Sequence, residues 1–507
     1  LTNTGNFNVY TVIRSVRLKA GVWIVSGLEA LSPRRSVAPI PGGRGMLARF
    51  AVVLCLLFCL PLSAAAQPRD IAGTLSLAYR SNPELLAAQR AVQVANEEVP
   101  VALQRFFPRF TASSVAGSGY RDGRNWRDVP GRDLRNRIRT LDLSLTQPIY
   151  DGQAMPGLRA AEALVLRART QLLQVEQSVL QDAASAHAAV LRDREILRLR
   201  EANMQSLGRL AAVTDRLLAA GDRTIGDLAQ VRAQEARAAS LLLQARSQLN
   251  VSEAAYLRAV TDRAGLLAAP TLRFRVPQTR EEAVTAARTD SARVALLRID
   301  QVLAREQADQ SAGALQPRVD LALNGGVGRS VDFARGGPSI PSHSDYGSIT
   351  LQFSMPLYAG PGDYARLRQA REQVLQRIAE QASAANRAEE EAVSTFVRLN
   401  TSRQLLEVAG RAVQAQQLAL QSIIREIDAR RRPLQDQLLA EQQLLDTRVE
   451  LTAARAEEIA AGFGLLSAIG VLSASFLELQ VPLFDPEQDY NATRWRVIGL
   501  SRAEGRR

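Results

Sequence analysis

Residues 154–218 and 364–427 contain almost nothing that would stop a helix. Pro156 and Gly157 stand at the start of the first run, where they are tolerated, and only Gly208 interrupts its interior. At 1.5 Å per residue each run extends ~95–100 Å, far more than a globular core needs. Leu158, Ala161, Val165, Ala168, Leu172, Val175 and Val179 alternate at three- and four-residue spacing, a heptad seam. Many seam residues are alanine, so neighbouring helices can approach closely. Each run ends in a short turn, AAGDRT at 219–224 and DARRRP at 428–433. Helical patterns then lead back over 225–262 and 434–475. Two long hairpins with apolar seams cannot close a core alone; they need other helices against them.

The two hairpins belong to an internal repeat. LTQPIYDG at 145–152 matches FSMPLYAG at 353–360, so Pro148, Tyr150 and Gly152 correspond to Pro356, Tyr358 and Gly360. FFPRF at 106–110 matches LQPRV at 315–319, and Asp227 matches Asp436. The offset is 208 to 209 residues throughout. Each half is expected to run helix, strand, loop, strand, very long helix, turn, helix. A polar stretch at 263–285 links the halves, and the chain after Phe476 reads as irregular. The expected division is an upstream extension at 1–45, a signal peptide at 46–66, repeats at 67–285 and 286–480, and a disordered tail at 481–507.

Period-2 alternation marks strands. Leu141, Leu143 and Leu145 alternate with Asp142, Ser144 and Thr146; Ile349, Leu351, Phe353 and Met355 alternate with Ser348, Thr350, Gln352 and Ser354. One face is apolar, the other small and polar. A soluble sandwich would bury the apolar face; an outer-membrane barrel would turn it to lipid and its polar face to a wet lumen. Alternation alone fits both. The links near 121–137 and 329–345 read as exposed loops, and Gly325-Gly326-Val327-Gly328 reads as a turn before the second of them.

From Met46 the chain reads MLARFAVVLCLLFCLPLSAAAQ. Arg49, the apolar run Ala51–Leu62 and Ala64-Ala65-Ala66 have the order of an export signal, cleaved after Ala66. The run is too short for a transmembrane helix, and nothing after it is apolar enough, so a membrane crossing must be a closed barrel of strands. Both cysteines, Cys55 and Cys59, fall in this run, so the remainder carries no thiol for an oxidising compartment to act on. Neither stands where a lipid anchor would attach. Residues 1–66 hold +6 of the chain's formal +12, and the rest of the positive charge is arginine spread along helices beside Glu and Asp. That pattern reads as solvated faces and argues against a nucleic-acid surface.

Nothing reads as catalytic. His187 lies in a long helix and His343 in an expected loop, neither with a partner at metal-ligand spacing. No nucleophile elbow or phosphate-binding loop occurs. A non-enzymatic duct without cofactors fits. The rival readings are a periplasmic coiled-coil adaptor, which would show one hairpin flanked by small β domains, and a soluble scaffold, which would need no export signal.

Four strands are too few to close a barrel. Together with the duplicated hairpins, this arrangement resembles the TolC family of outer-membrane efflux and secretion proteins over about residues 68–480. The marks are SNPELLAA at 81–88, the two P-(I/L)-Y-x-G junctions, AAGDRTIGDLAQVRA at 219–233, LLAEQQLLDTRVEL at 438–451 and LLSAIGVL at 465–472. The type I secretion branch is the most similar. The resemblance implies a mainly α fold with a β-barrel part: a homotrimer with a twelve-stranded barrel in the outer-membrane lipid and a helical tunnel through the periplasm. Periplasmic adaptors and inner-membrane transporters (ABC or RND) would dock at the hairpin tips. It further implies that Asp436 lines the narrowest ring, with Leu439 where the family has a second acidic residue. A clasp would link Arg432 to Asp227, with Ile427 at the position of the family's tyrosine. Arg430 stands at the tip-glycine position that Gly221 keeps in the first half, and Arg431 flanks it.

Overall fold

The computed structural model describes residues 68–121, 134–270, 275–334, 338–429, 431–496 and 498–499. The upstream extension, the signal segment with Cys55 and Cys59, and Arg430 lie outside the described residues.

Three short helices open the described chain: α1 (Ile71–Ser81), α2 (Pro83–Asn96) and α3 (Glu98–Leu103). Asn82 ends α1 and caps α2, its side chain accepting from the Glu84 and Leu85 amides just ahead of Pro83. Pro83 is preset for a first helical turn and cannot continue the previous helix. The hairpin β1 (Arg109–Arg121) and β2 (Leu134–Asp151) follows, then α4 (Ala154–Ala219) and its return α5 (Ile225–Val260). The second half repeats the order with α6 (Arg280–Asp290), α7 (Ala292–Gly313), β3 (Arg318–Ala334), β4 (Ser339–Ser354), α8 (Gly360–Asp428) and α9 (Leu434–Ala468). Helix α6 runs across residue 285, where the halves were expected to divide, so the linker ends before it. The two long helices have 66 and 69 residues, about 100 Å each.

The strands form one antiparallel sheet in the order β1-β2-β3-β4. They extend well past the alternating segments. Expected loop residues 134–137, 329–334 and 339–345 are strand, paired across the sheet despite their polar side chains. Gly325–Gly328 is therefore strand interior and not a turn. The glycines make room: Tyr346 on β4 crosses Gly326 to donate from its hydroxyl to Asp142 Oδ1 on β2, at 2.8 Å. A Cβ on Gly326 would strike both Asp142 and Tyr346. His343 is likewise in a strand, accepting at Nε2 from Arg329 at 2.9 Å.

The seam alanines and valines work as read. Ala161, Val165, Leu172 and Val179 are buried, while Leu158, Ala168 and Val175 are half-buried. Helix α4 is enclosed by α1, α2, α3, α5, α7 and α9. The largest core cluster gathers Leu75, Leu180, Tyr256, Leu399, Phe463 and Leu466 around its middle. His187 is fully buried there. Its Nε2 lies 3.1 Å from the Ala268 carbonyl and so donates, leaving Nδ1 to accept from Thr74 Oγ1 at 2.9 Å. Burial pushes its pKa down. Helical arginines pair across helix boundaries, as in Arg167–Asp300, Arg288–Glu389 and Arg398–Glu457.

The tail does not follow its expected disorder as far as residue 496. Helix α10 (Pro486–Thr493) folds back against the first half. Asn96 Nδ2 donates to Asp489 at 2.8 Å, Arg494 pairs with Glu162 at 3.1 Å, and Arg169 stacks over the Tyr490 ring. A short polar helix carries little apolar signal, and these polar contacts hold it.

Candidate functional site

Three places carry the expected functional residues: the hairpin tips, the strand-to-helix junctions and the sheet faces. At the first tip α4 ends on Ala220, and Gly221 takes φ +81°. The Asp222 amide donates to the Leu217 carbonyl at 2.9 Å and Gly221 to Leu218 at 3.0 Å, the double closure that a left-handed glycine permits. Two residues on, Thr224 caps α5 in a reciprocal box: the Asp227 amide donates to Thr224 Oγ1, and Asp227 Oδ2 accepts from the Thr224 amide and hydroxyl. Those bonds, the backbone one first, hold the Asp227 carboxyl below its usual range.

At the second tip the Arg431 amide donates to the Glu426 carbonyl at 2.8 Å, the counterpart of the Asp222 bond. Beyond it the tips diverge. Pro433 stands where Thr224 stands, and a proline has neither hydroxyl nor N–H. Asp436, the counterpart of Asp227, is therefore not consumed by a cap. Its Oδ2 lies 3.4 Å from Arg432 Nη1, and Arg432 also bonds Glu426 through Nε. That bond to Glu426 is the main reason the guanidinium pKa is raised. The expected link between Arg432 and Asp227 is not formed within the chain, because each is held by its own hairpin. Leu439, one turn beyond Asp436, is 52% exposed. The tips still touch inside one chain, through buried Leu207, Val231, Ala238, Leu434 and Leu438. Glu426 was missed in the sequence, where nothing separates it from other surface acids; the Thr224-x-x-Asp227 box was readable and points to capping.

The junctions also differ. At the first, a bulge between Pro148 and Tyr150 turns β2 toward α4. Tyr150 donates from its hydroxyl to Gln316 Oε1 at 2.7 Å. Gly152 lies so close to Gly313 that a Cβ on either would strike the other's carbonyl oxygen. At the second, Tyr358 is 76% exposed, and Gly360 takes φ +75° with open space around it. Gly313 and Gln316 have no motif of their own; only their position before β3 marks them.

The sheet's apolar face is bare. Phe110 is 75% exposed, Ile349 77%, Leu351 67% and Phe353 65%, with Leu143 at 59%. A sandwich would bury them. Among the described residues no helix is long and apolar enough to cross a membrane, and no three metal-binding side chains gather.

The model of the outer membrane efflux protein family matches residues 74–261. Over 443 residues the chain is 27% identical to the outer membrane efflux protein BepC of Brucella suis biovar 1 (strain 1330), covering 87% of this chain and 94% of that protein. It is 24% identical to the outer membrane protein TolC of Escherichia coli (strain K12) over 422 residues, 81% of this chain and 84% of TolC. The solved CmeC outer membrane channel of Campylobacter jejuni shares the fold at a TM-score of 0.71 and 14% identity, over 84% of this chain and 89% of that one. With its duplicated strand-and-hairpin halves and its bare apolar sheet, the chain is similar over most of its length to outer membrane efflux proteins of the TolC kind.

Proposed function

We propose that this protein is the outer-membrane channel of a tripartite export system, a passive duct for efflux or type I secretion. The observation that carries the reading is the sheet. Its strands have 13, 18, 17 and 16 residues, more than the ~9–11 that cross a bilayer, and its apolar face is left exposed by the described residues. Three copies close twelve strands in the outer membrane, and their hairpins form a tunnel in the periplasm. An adaptor and an inner-membrane transporter, ABC or RND, engage the tips. Transport energy comes from that transporter; the channel contributes a path and a gate, with no catalysis and no cofactor. In the gate Asp436 is the fixed negative group of the narrowest ring, Arg432 holds it and Glu426 together, and Asp227 sets the first tip through its cap. Leu439 makes the ring less acidic than a carboxylate pair would.

The test is fractionation followed by reconstitution. The protein is expected in the outer-membrane fraction, migrating faster on a gel before heating than after, and opening cation-sensitive channels in a planar bilayer. A soluble, heat-insensitive species without conductance would support the adaptor or scaffold reading instead.

A further inference from the structure

The apolar face of the sheet does not stay apolar to the end of the strands. Side chains two residues apart share a face, so Leu145, Leu143 and Leu141 are followed on β2 by Arg139 and Arg137. The register sets Arg139 directly opposite Arg329 on β3, and Arg329 directly opposite His343 on β4. Like charges directly opposed across strands destabilise a sheet. Arg329 donates from Nε to His343 Nε2 at 2.9 Å, which leaves the proton of the neutral imidazole on Nδ1 as a further donor. Arg139 makes no ion pair among the described residues. One row farther along, the Arg137 guanidinium lies over the Phe333 ring, 5.5 Å from its centre. Among the described strand residues the carboxylate on this face is Asp345, one row nearer the apolar band. The connection at 122–133 holds three arginines and three aspartates, so it adds no net negative charge.

The height of this row is fixed by the strands. Ten residues separate Arg329 and His343 from the paired Val319 and Phe353 at the other end of the apolar band. At ~3.3 Å per residue and a strand tilt of ~35–45°, that is ~24–27 Å, the height of an outer-membrane apolar band. The cations therefore stand at headgroup level, where an outward arginine is tolerated, and not at the midplane, where it costs most. Their end of the sheet is the one away from the long helices, since β2 runs from Leu134 to Asp151 and then into α4. In the barrel reading above, that end meets the leaflet facing the exterior. The helix end of the sheet differs. Its arginines, Arg109 and Arg318, lie opposite Thr146 and Ser354 and so on the polar face. Among the described strand residues the apolar face is thus basic at its outer rim alone.

We propose that Arg139, Arg329 and His343 bind the phosphate of an outer-leaflet lipid headgroup; this rests on the barrel reading. A phosphate seated between the two guanidinium groups replaces their repulsion with charge-assisted hydrogen bonds. Each planar fork matches two phosphate oxygens, and the His343 Nδ1–H offers one donor more. Arginines that only reach for water are free to stand apart. Two set opposite each other in register, beside a histidine, gather positive charge where an anion can sit. Arg137 on Phe333 and the exposed Tyr120 border the row on the same face, as an aromatic girdle does at a membrane surface.

The test is lipid binding to the detergent-purified oligomer of the full chain, read by native mass spectrometry. The probes are bis-phosphorylated lipid A, its dephosphorylated form with the same acyl chains, and inorganic phosphate. The parent should bind the phosphorylated lipid about tenfold more tightly than the dephosphorylated one, the worth of one charge-assisted hydrogen bond or more. Arg139→Gln should lose most of that preference, and Arg139→Lys, which keeps the charge, should retain more of it. Arg109→Gln removes one cation from the polar face and should bind as the parent does. Equal binding of the two lipids by the parent, which needs no variant, overturns phosphate recognition. Equal losses in Arg139→Gln and Arg109→Gln overturn the assignment to this row. Inorganic phosphate that displaces the lipid at equal concentration makes the site one for a free anion and overturns the lipid. If Arg139→Gln forms no heat-modifiable oligomer, Arg329→Gln takes its place, with the same expected loss; parent-like binding there overturns the site. A parent that is soluble and forms no heat-modifiable oligomer overturns the barrel reading and this inference with it.

Discussion

The two halves carry one plan but are completed differently. Helix α4 is packed on most sides, with twenty buried residues along its length. Helix α8, nearly equal in length, buries little more than Ala370, Ala384, Ala388, Ala392, Leu399 and Ser402, and it leaves Leu375, Val397, Leu405 and Leu418 exposed. The first junction is filled by Gly313 and Gln316 of the second half; the second junction is open. Among the described residues the second half completes the first, whereas the junction and much of the long helix of the second half stay uncovered. In a ring of identical copies such open surfaces would be covered by the neighbouring copies.

The largest expected effect tests the feature the halves share, the bare apolar face. An arginine at the bilayer midplane on that face costs roughly 2–4 kcal/mol. Leu143→Arg and Phe353→Arg should both sharply reduce the heat-modifiable oligomer in membranes. Ser144→Arg, on the opposite face, should assemble and change conductance. Equal tolerance of Leu143→Arg and Ser144→Arg would mean that the alternation is misassigned and does not separate a lipid face from a lumen face.

The junctions give the next effect and separate the halves. Gly152→Ala places a methyl group against the Gly313 carbonyl, a backbone atom that cannot turn aside. Overpacking of this kind costs about 1–3 kcal/mol. Gly360→Ala meets no atom among the described residues and costs only a left-handed residue with a side chain, about 1 kcal/mol. Thermal unfolding should show the larger fall for Gly152→Ala. The reverse order would show that the first junction can relax.

This asymmetry explains what could be read from the sequence. The repeat, the seams and the P-(I/L)-Y-x-G junctions are local patterns, and they locate α4, α8 and the strands. Strand length was underestimated because alternation marks only the part of a strand with an apolar side. Pairing carries β2 and β3 through Arg137, Arg139 and Arg329, where no pattern remains. The glycines of β3 resembled a turn because their reason, Tyr346 crossing the strand, lies on another strand. At the tips, position alone suggested that Arg432 and Asp227 meet. The competing cap on Asp227 was written locally as Thr224-x-x-Asp227, whereas the partner of Arg432 had to be seen.

The tip caps differ by one residue pair and give a smaller effect. Thr224→Ala removes the hydroxyl of the first box and should cost about 1 kcal/mol in local stability. Pro433→Ala removes no side-chain cap bond and should be close to neutral. Hydrogen exchange at the two tips would compare them. The Asp227 carboxyl has a lowered pKa when folded, so its support is present above its unfolded value, about 3.8. That support is lost as pH falls through the folded value. Protection at the first tip, taken relative to the intrinsic exchange rate at each pH, should therefore fall with acidification in this range, and Asp227→Asn should remove that dependence. An unchanged profile in Asp227→Asn would show that the box does not set the tip.

The smallest expected energetic effect has the clearest functional readout. Arg432 joins Glu426 and Asp436 at the surface, and exposed pairs are individually weak and screened by salt. One pair cannot lock a channel, but in the proposed trimer three symmetric copies would bias the same equilibrium together, and a docking partner could still release them. Arg432→Ser should therefore raise single-channel conductance in a planar bilayer. Asp227→Ala should not add to it, because Asp227 is committed to its cap and makes no bond to Arg432 within the chain. Block by divalent cations should deepen in Arg432→Ser, which uncovers Asp436, and should vanish when Asp436→Asn is added. With Leu439 in place of a second carboxylate, the block in Arg432→Ser should strengthen when Leu439→Asp is introduced. If conductance instead rises only in Arg432→Ser combined with Asp227→Ala, the two tips are clasped between copies. The difference in capping would then be incidental to the gate.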